Sequence, residues 1–358
     1  MELKNILHMN VGNGESSYAR NSFLQETVIR KTLPVLKSAV KGMANLDTVL
    51  SKCFVIADLG CSNGPNTLLA ASIIIDVVLE RCREDNHHKA PQFQVFLNDL
   101  YGNDFNAIFQ SLPNFYANFK KEKGENFSCF VSATPGSFYG RLFQDGSLHL
   151  VPEGIENNKG NIYMAKTSPP NVFEAYRKQF HTDMKMFLQM RSSEIVRGGC
   201  MVLTFLGRSS VDPTSDDCCS LWGLLGQSLH NMIKEKLVQE SDINTFNAPV
   251  YFPCEEEVRN VIHDEGSFSL DTLNAFQLNW DPYDTDYTSM KAFNEQCYIH
   301  GKNTAMFMRA VTESLLVSHF GDLMNTDVLF KNMEKQVAEY LTRKKTRHFT
   351  LVISLTRK

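Results

Sequence analysis

The sequence predicts an α/β fold with a doubly wound, mostly parallel sheet and a helical cap. Three observations carry this. Short apolar strands alternate with helix-length segments over roughly the first 210 residues. The first strand ends in an acid and opens into the turn Asp58-Leu-Gly60-Cys-Ser-Asn-Gly64 ahead of a helix. Beyond residue 210 the pattern becomes mainly helical until a final apolar run at 349–355.

Taken in order, residues 16–45 read as a helix, with Phe23, Val28, Leu33, Leu36 and Val40 about one face apart. Residues 54–57 form a short apolar strand, 68–82 its following helix and 83–91 a polar loop. Residues 94–97 read as a second strand ending in Asn98-Asp99-Leu100, then 104–112 as a helix and 127–131 as a third strand closed by Pro135-Gly136. The helix at 173–196 is stopped by Gly198-Gly199, and 200–206 is the fourth strand. Residues 216–238 and 255–263 look helical, 267–270 is a short strand, and 304–317 and 326–342 are again helical. The expected division is an α/β core of 1–210 and 345–358, whose segment 1–30 covers the site, with a mainly helical, substrate-binding cap over 211–344. Strand–helix alternation of this kind covers a parallel sheet on both faces.

A chain of 358 residues that is 43% hydrophobic can build a full core, and most of its 25 Phe and 11 Tyr are expected there. The net charge of −4 and the absence of a basic stripe argue against nucleic acid as a partner; Lys120-Lys121 and Lys344-Lys345 read as solvated surface. No run of about 18 apolar residues suggests a membrane span, and Met1 to Asn13 lack the apolar stretch of a signal peptide. A cytosolic location is therefore expected. The nine cysteines are odd in number and lack CxxC pairs, so they read as reduced, and Cys218-Cys219 as two small apolar side chains in a helix.

The chemistry starts at the Asp58 turn. A dinucleotide turn has Gly-x-Gly-x-x-Gly, with helix amides facing a pyrophosphate. Here the spacing is Gly-x-x-x-Gly and a carboxylate stands beside it, which repels phosphate. A nucleoside without phosphates and with positive charge suits it better, and S-adenosylmethionine fits that description; the alternative is a tight structural connection. Asp99 ends the second strand, where a carboxylate can accept from both ribose hydroxyls, or act as a turn or cap aspartate. Ser137 and Phe138, after the third strand, offer a hydroxyl and an aromatic wall for an adenine, or pack on the core. Arg141 could anchor an acid or bridge structure.

These stretches together resemble the plant SABATH methyltransferases, the salicylate, benzoate and jasmonate carboxyl methyltransferases and the caffeine synthase-like N-methyltransferases. The likeness rests on Leu7-His-Met-Asn10, Gly14-Glu-Ser-Ser-Tyr18-Ala-Arg-Asn21-Ser22, Ala57 to Asn66, Phe96-Leu-Asn-Asp-Leu100 and Asn103-Asp-Phe-Asn106. It continues through Pro135 to Phe143, Asn158-Lys-Gly-Asn-Ile-Tyr163, Met308-Arg-Ala-Val311 and His319-Phe-Gly321, in order along nearly the whole chain. The resemblance implies a Rossmann-like S-adenosylmethionine-dependent methyltransferase fold. It also implies cofactor contacts at Tyr18, Ser22, Asp58, Gly60, Asn66, Asp99, Leu100, Ser137 and Phe138. On the acceptor side it implies Gln25 and Trp222 at the substrate carboxylate, with Leu206, Tyr251, Met308 and Val311 as an apolar wall. A homodimer and a place in plant secondary metabolism are likewise implied by the family.

Departures from the pattern matter. Family members carry about a dozen residues between the equivalents of Val151 and Pro152, including a second pocket tryptophan. Here Leu148-His-Leu-Val151 joins Pro152-Glu-Gly directly. Two readings follow, a true shortening of the substrate clamp or a loop that the sequence as given omits, and the second is the expectation. Asn244 stands where the family usually has an aspartate near a reported metal position, so Asn158, Phe246 and Asn247 make a weak magnesium site. His348 stands where salicylate-type members carry a pocket phenylalanine.

The expected activity is S-adenosylmethionine-dependent O-methylation, making the methyl ester of a small carboxylic acid of the salicylate, benzoate or alkaloid-pathway kind. A carboxylic acid with a pKa near 4 is already ionised at neutral pH, so no general base and no catalytic residue in that sense are expected. The alternative within the family is N-methylation of a xanthine, for which His348 and the short junction leave room. A cofactor-binding interaction protein without activity is a third reading, resting on the same junction. A nicotinamide-dependent dehydrogenase fails on the glycine spacing and on Asp58.

Overall fold

In the computed structural model, residues 8–12, 14–43, 53–85, 90–124, 127–142, 158–284, 295–321 and 323–358 are described. In chain order the elements are α1 (Tyr18–Asn21), α2 (Phe23–Gly42), β1 (Cys53–Leu59), α3 (Pro65–Glu84), β2 (Gln92–Asp99), α4 (Phe105–Lys123), β3 (Cys129–Pro135) and α5 (Pro170–Glu194). They continue as β4 (Cys200–Gly207), α6 (Asp216–Lys234), α7 (Glu240–Thr245), α8 (Glu255–Glu265), β5 (Phe268–Leu278), α9 (Glu295–Phe320), α10 (Thr326–Leu341) and β6 (His348–Arg357).

Strands β1, β2 and β3 pair in parallel in that order, with Leu59 opposite Asn98 and Asp99 opposite Pro135. Alternation decides which face is buried: Phe93, Val95 and Leu97 of β2 are wholly inaccessible and meet Ile75 and Val78 of α3. Each such side chain contributes roughly 1.5–3 kcal/mol by leaving water. A chain of rings locks α4 onto this sheet, with Phe115 4.6 Å from Phe119, and Phe119 5.1 Å from Phe127. Helix starts follow local chemistry. Pro65 takes the first helical position after Gly64, and the Asp104 carboxylate accepts from Ala107 N to cap α4.

The other three strands are antiparallel, in the order β4-β6-β5. One face of this sheet carries Leu351, Ile353 and Leu355 and packs on Phe187 and Leu188 of α5 and on Val258, Val261 and Ile262 of α8. The opposite face meets α2 and α9. Thr32 of α2 comes within 3.5 Å of Thr204, Lys31 lies over the Phe276 ring, and the His348 ring is 5.9 Å from Phe307 of α9. The α/β class therefore holds, with the parallel arrangement confined to β1–β3.

Several expected boundaries shift. The helix read over 16–45 is two, broken at Ser22 (φ −102°, ψ 25°). The helix read as ending at 112 runs to Lys123, with Pro113 inside it. The short strand at 267–270 is the eleven-residue β5, which completes the second sheet from within the range read as cap. The helix read from 304 begins at Glu295. No described helix is long and apolar enough to cross a membrane. The Val151–Pro152 junction lies outside the described residues.

Candidate active site

At the strand ends the Asp58 turn is held from several sides. Gly60 N and Cys61 N both donate to Asn98 O at 2.9 Å, and the Thr67 hydroxyl donates to Cys61 O at 2.9 Å. The chain then turns through Gly60 (φ +76°) and Ser62 (φ +55°), a conformation a non-glycine residue rarely holds. Asp99 fixes it there. One carboxylate oxygen accepts from Ser62 N at 2.6 Å and the other from Leu100 N at 2.7 Å, while Asn103 donates to Ser62 O at 2.9 Å.

Asp58 and Asp99 are therefore neighbours in a confined space. Burial, and after it the negative charge of Asp99, pushes the Asp58 carboxyl up to about 6. Burial raises Asp99 as well, against the lowering effect of the Leu100 and Ser62 amides. The buried Tyr18 hydroxyl is raised by desolvation first, then by Asp99 and Asp58. Nearby, Asn63 is buried and its Oδ1 lacks a hydrogen-bond partner. Confined carboxylates and an orphaned acceptor fit a ligand bearing positive charge and hydrogen-bond donors, as S-adenosylmethionine does. They disfavour phosphate.

The turn after β3 is built into the same corner. Asn98 donates to Thr134 O at 2.7 Å and Gly136 O at 2.8 Å, and Gly136 N donates to Asp99 O at 2.8 Å. A side chain on Gly60 would stand 3.6 Å from the Phe138 ring, so ring and glycine are in contact range. Phe138 meets Phe187 edge-on at 6.0 Å. Buried Arg191 donates to Phe138 O at 2.8 Å and Gly140 O at 3.0 Å, and pairs with Glu194, which accepts from Leu142 N at 2.9 Å. Arg191 thus supplies the bridge for which Arg141 was a candidate, whereas the Arg141 Nε is buried without a partner. The Ser137 hydroxyl faces Tyr139 N at 3.4 Å.

The N-terminal segment lies over this corner. Gly64 (φ +105°) lets Ala19 approach its backbone, and Asn66 donates to Ser22 O at 2.7 Å. Tyr18 N donates to Asn10 O at 2.9 Å, and Asn10 N to Ala310 O of α9 at 3.0 Å. The Ser314 hydroxyl donates to His8 O at 2.6 Å. One segment therefore touches both the cofactor turn and the helix carrying Met308 and Val311.

The residues expected to hold the acceptor are only partly gathered. Trp222 and Met308 belong to one buried core with Leu24; Val311 packs on it, and Trp222 lies 5.6 Å from Tyr163. Gln25, in the first turn of α2, has its Oε1 buried and unpartnered. Leu206 is opposite Thr350 in the β4–β6 ladder, and His348 is buried near Phe307 and Trp280. Tyr251 packs on the same core but turns its hydroxyl away, donating to Glu257 at 2.7 Å beneath Arg208. It lines a separate cavity of about 370 Å³ with Phe173 and Pro213.

The weak magnesium site does not fit a cation. The Asn158 amide donates to Asn247 Oδ1 at 2.8 Å, Asn158 Oδ1 accepts from Ser168 at 2.6 Å, and Phe246 packs against His319 and Phe320. The Asn158 and Asn247 oxygens are engaged, and no carboxylate among the described residues bonds to those side chains. Among the described residues no cluster of three or more His, Cys, Asp or Glu could hold a metal.

Asn98, Asn63 and Arg191 were not anticipated. Asn98 had a signal, a polar residue at a buried strand end, overshadowed by Asp99. Arg191 had none, since the two carbonyls it binds lie about fifty residues away in the turn after β3.

An α/β fold with two confined carboxylates at its strand ends suits, better than phosphate, a cationic nucleoside, the donor of the S-adenosylmethionine-dependent methyltransferases. Residues 4–358 match the family model described as SAM dependent carboxyl methyltransferase. The chain is 44% identical to the probable jasmonic acid carboxyl methyltransferase 1 of Theobroma cacao, covering 100% of both. It is 43% identical to the salicylate carboxymethyltransferase of Clarkia breweri over 370 residues, covering 100% of this chain and 99% of the other. That alignment is longer than this chain, so the relative carries residues without a counterpart here. Among solved structures, loganic acid methyltransferase with SAH superposes with a TM-score of 0.79 at 30% identity, covering 98% of each chain. The chain belongs to the S-adenosylmethionine-dependent carboxyl methyltransferase family and is an enzyme forming methyl esters of small carboxylic acids.

Proposed function

We propose that the acceptor is a small aromatic or cyclic acid of the kind named for the relatives, salicylate, benzoate or jasmonate. One observation carries the reading. The amide of Gln25 has its Oε1 buried without a partner, and a half-turn of that amide presents its NH2 donor at the same place, three residues after Ser22, whose carbonyl accepts from Asn66. An amide is thereby left unpaired in the first turn of α2, just after the residue that Asn66 ties to the cofactor segment.

When bound, S-adenosylmethionine supplies an electrophilic methyl group. Asp58 and Asp99 would hold its positive and hydroxyl-bearing groups, and Phe138 its adenine. Gln25 and Trp222 orient the acceptor carboxylate as neutral donors. A lysine or arginine there would bind the same carboxylate more strongly and blunt its nucleophilicity. The acid arrives ionised, so the protein moves no proton and its work is alignment and exclusion of water. Orientation of this kind is worth up to roughly 7–11 kcal/mol of a barrier. Incubation with methyl-labelled S-adenosylmethionine and a panel of acids tests the reading; label in no methyl ester would sink it.

Xanthine N-methylation has no comparable support, since the relatives named above are carboxyl methyltransferases. A homodimer belongs to the same proposal and rests on the family resemblance. Sizing the purified protein by light scattering tests the dimer.

A further inference from the structure

Buried polar atoms without partners are rare, because each forfeits roughly 1–3 kcal/mol of solvation with nothing in return. In this protein, two of them adjoin on one strand. His348 Nε2 and Thr350 Oγ1 are both unpartnered, and their residues are only 6% and 1% exposed. Standing two apart on β6, they point to the same side of the sheet. That side is identified by Leu206, opposite Thr350 in the ladder, and by Phe307, against the His348 ring. It is the side on which α2 lies, through the approach of Thr32 to Thr204. Gln25 stands seven residues before Thr32, two turns along the same helix face, and also ends in an unpartnered buried oxygen.

Three orphaned polar atoms therefore face one layer, between the antiparallel sheet and helices α2 and α9. A ligand with polar groups at both ends would gain hydrogen bonds in this layer that apolar packing leaves unmade. Building on the carboxyl methylation proposed above, we infer that the acceptor carries a second polar group, a hydroxyl or carbonyl remote from its carboxylate, held by His348 Nε2 and Thr350 Oγ1. Gln25 takes the carboxylate through its amide NH2, and this pair takes the other end. Burial depresses His348 to about 4, so at neutral pH its imidazole is uncharged and can donate or accept at Nε2. Both a hydroxyl and a carbonyl are thus served. A buried polar group left unpaired by an apolar ligand discriminates more strongly than an apolar pocket rejecting a polar one.

The test compares kcat/KM for benzoate, its meta and para monohydroxy derivatives and a ring-ketone alkanoic acid, in the wild type, His348→Phe and Thr350→Val. The wild type should favour at least one polar-substituted acid over benzoate by about tenfold or more. His348→Phe should bring that ratio close to one, chiefly by losing activity on the polar acids, and Thr350→Val should reduce it severalfold. Binding of S-adenosylhomocysteine is measured alongside to show that each variant folds; should His348→Phe not fold, Thr350→Val decides. A wild-type ratio near one, or a ratio unmoved in the folded variants, overturns the inference while leaving carboxyl methylation standing. Methyl transfer to no acid overturns both.

Discussion

A Cβ placed on Gly64 would stand 2.9 Å from the Cα of Ala19, closer than such atoms come in proteins. The N-terminal segment therefore reaches the cofactor turn only because residue 64 has no side chain. Gly64 also has φ +105°, which an L-residue adopts at a cost of roughly 1–3 kcal/mol. Gly64→Ala should weaken S-adenosylhomocysteine binding at least tenfold by displacing Tyr18 and Ser22, as read by isothermal titration calorimetry.

Asp58 gives a pH dependence with a definite sign. Its carboxyl is raised from 3.8 to about 6, by burial first and Asp99 second. The ligand-free fold holds this proton more tightly than the unfolded chain does. The group's contribution to stability is therefore full below pH 3.8 and is lost as pH rises through about 6. A cationic ligand binds the ionised form, so its affinity runs the other way. Binding should strengthen by up to about tenfold per pH unit toward pH 6 and then level off. Asp58→Asn should lose the greater part of that slope.

Arg191 ties the Phe138 turn to α5 through two backbone carbonyls and pairs with Glu194. Arg191→Met would leave the buried Glu194 carboxylate without its guanidinium, and breaking a buried pair costs up to about 3–5 kcal/mol. The urea midpoint should fall, and binding of S-adenosylhomocysteine should weaken even where the variant is folded.

Gln25→Ala removes the amide in the first turn of α2 without touching Asp58, Asp99 or Asn66. KM for the acid should rise roughly tenfold, the value of one hydrogen bond to a charged group, with cofactor affinity unchanged within about twofold. Steady-state kinetics with both substrates varied separates the two.

Because the Asn158 and Asn247 oxygens are engaged in hydrogen bonds, chelation should leave methyl transfer and thermal stability unchanged. Assays with and without EDTA check this, and loss of activity on chelation would point to a cation held elsewhere.

The parts of this fold that could be read from sequence are those encoded by neighbouring residues. A β-strand, an acid, two glycines and Pro65 are contiguous, so the Asp58 turn and α3 could be located before any coordinates. Asp99 was legible for the same reason. The helix read over 104–112 was placed but cut short; it runs through Pro113, with Phe115 and Phe119 packing beyond it. What stayed hidden depended on distant pairing. Leu206 opposite Thr350 is a register fixed across more than a hundred residues, and the antiparallel second sheet follows from such contacts alone. Tyr251 shows the same limit, since the pull of Glu257 and Arg208 on its hydroxyl is invisible in a linear pattern.

Strand β6 lies between β4 and β5, yet of the described strands it is synthesised last. The three parallel strands follow one another in space as in sequence, so each finds its neighbour already made. The antiparallel sheet must wait. Until His348 to Arg357 emerge, β4 and β5 share no partner, and the surface that Phe187 and Val258 cover on Leu351, Ile353 and Leu355 does not yet exist.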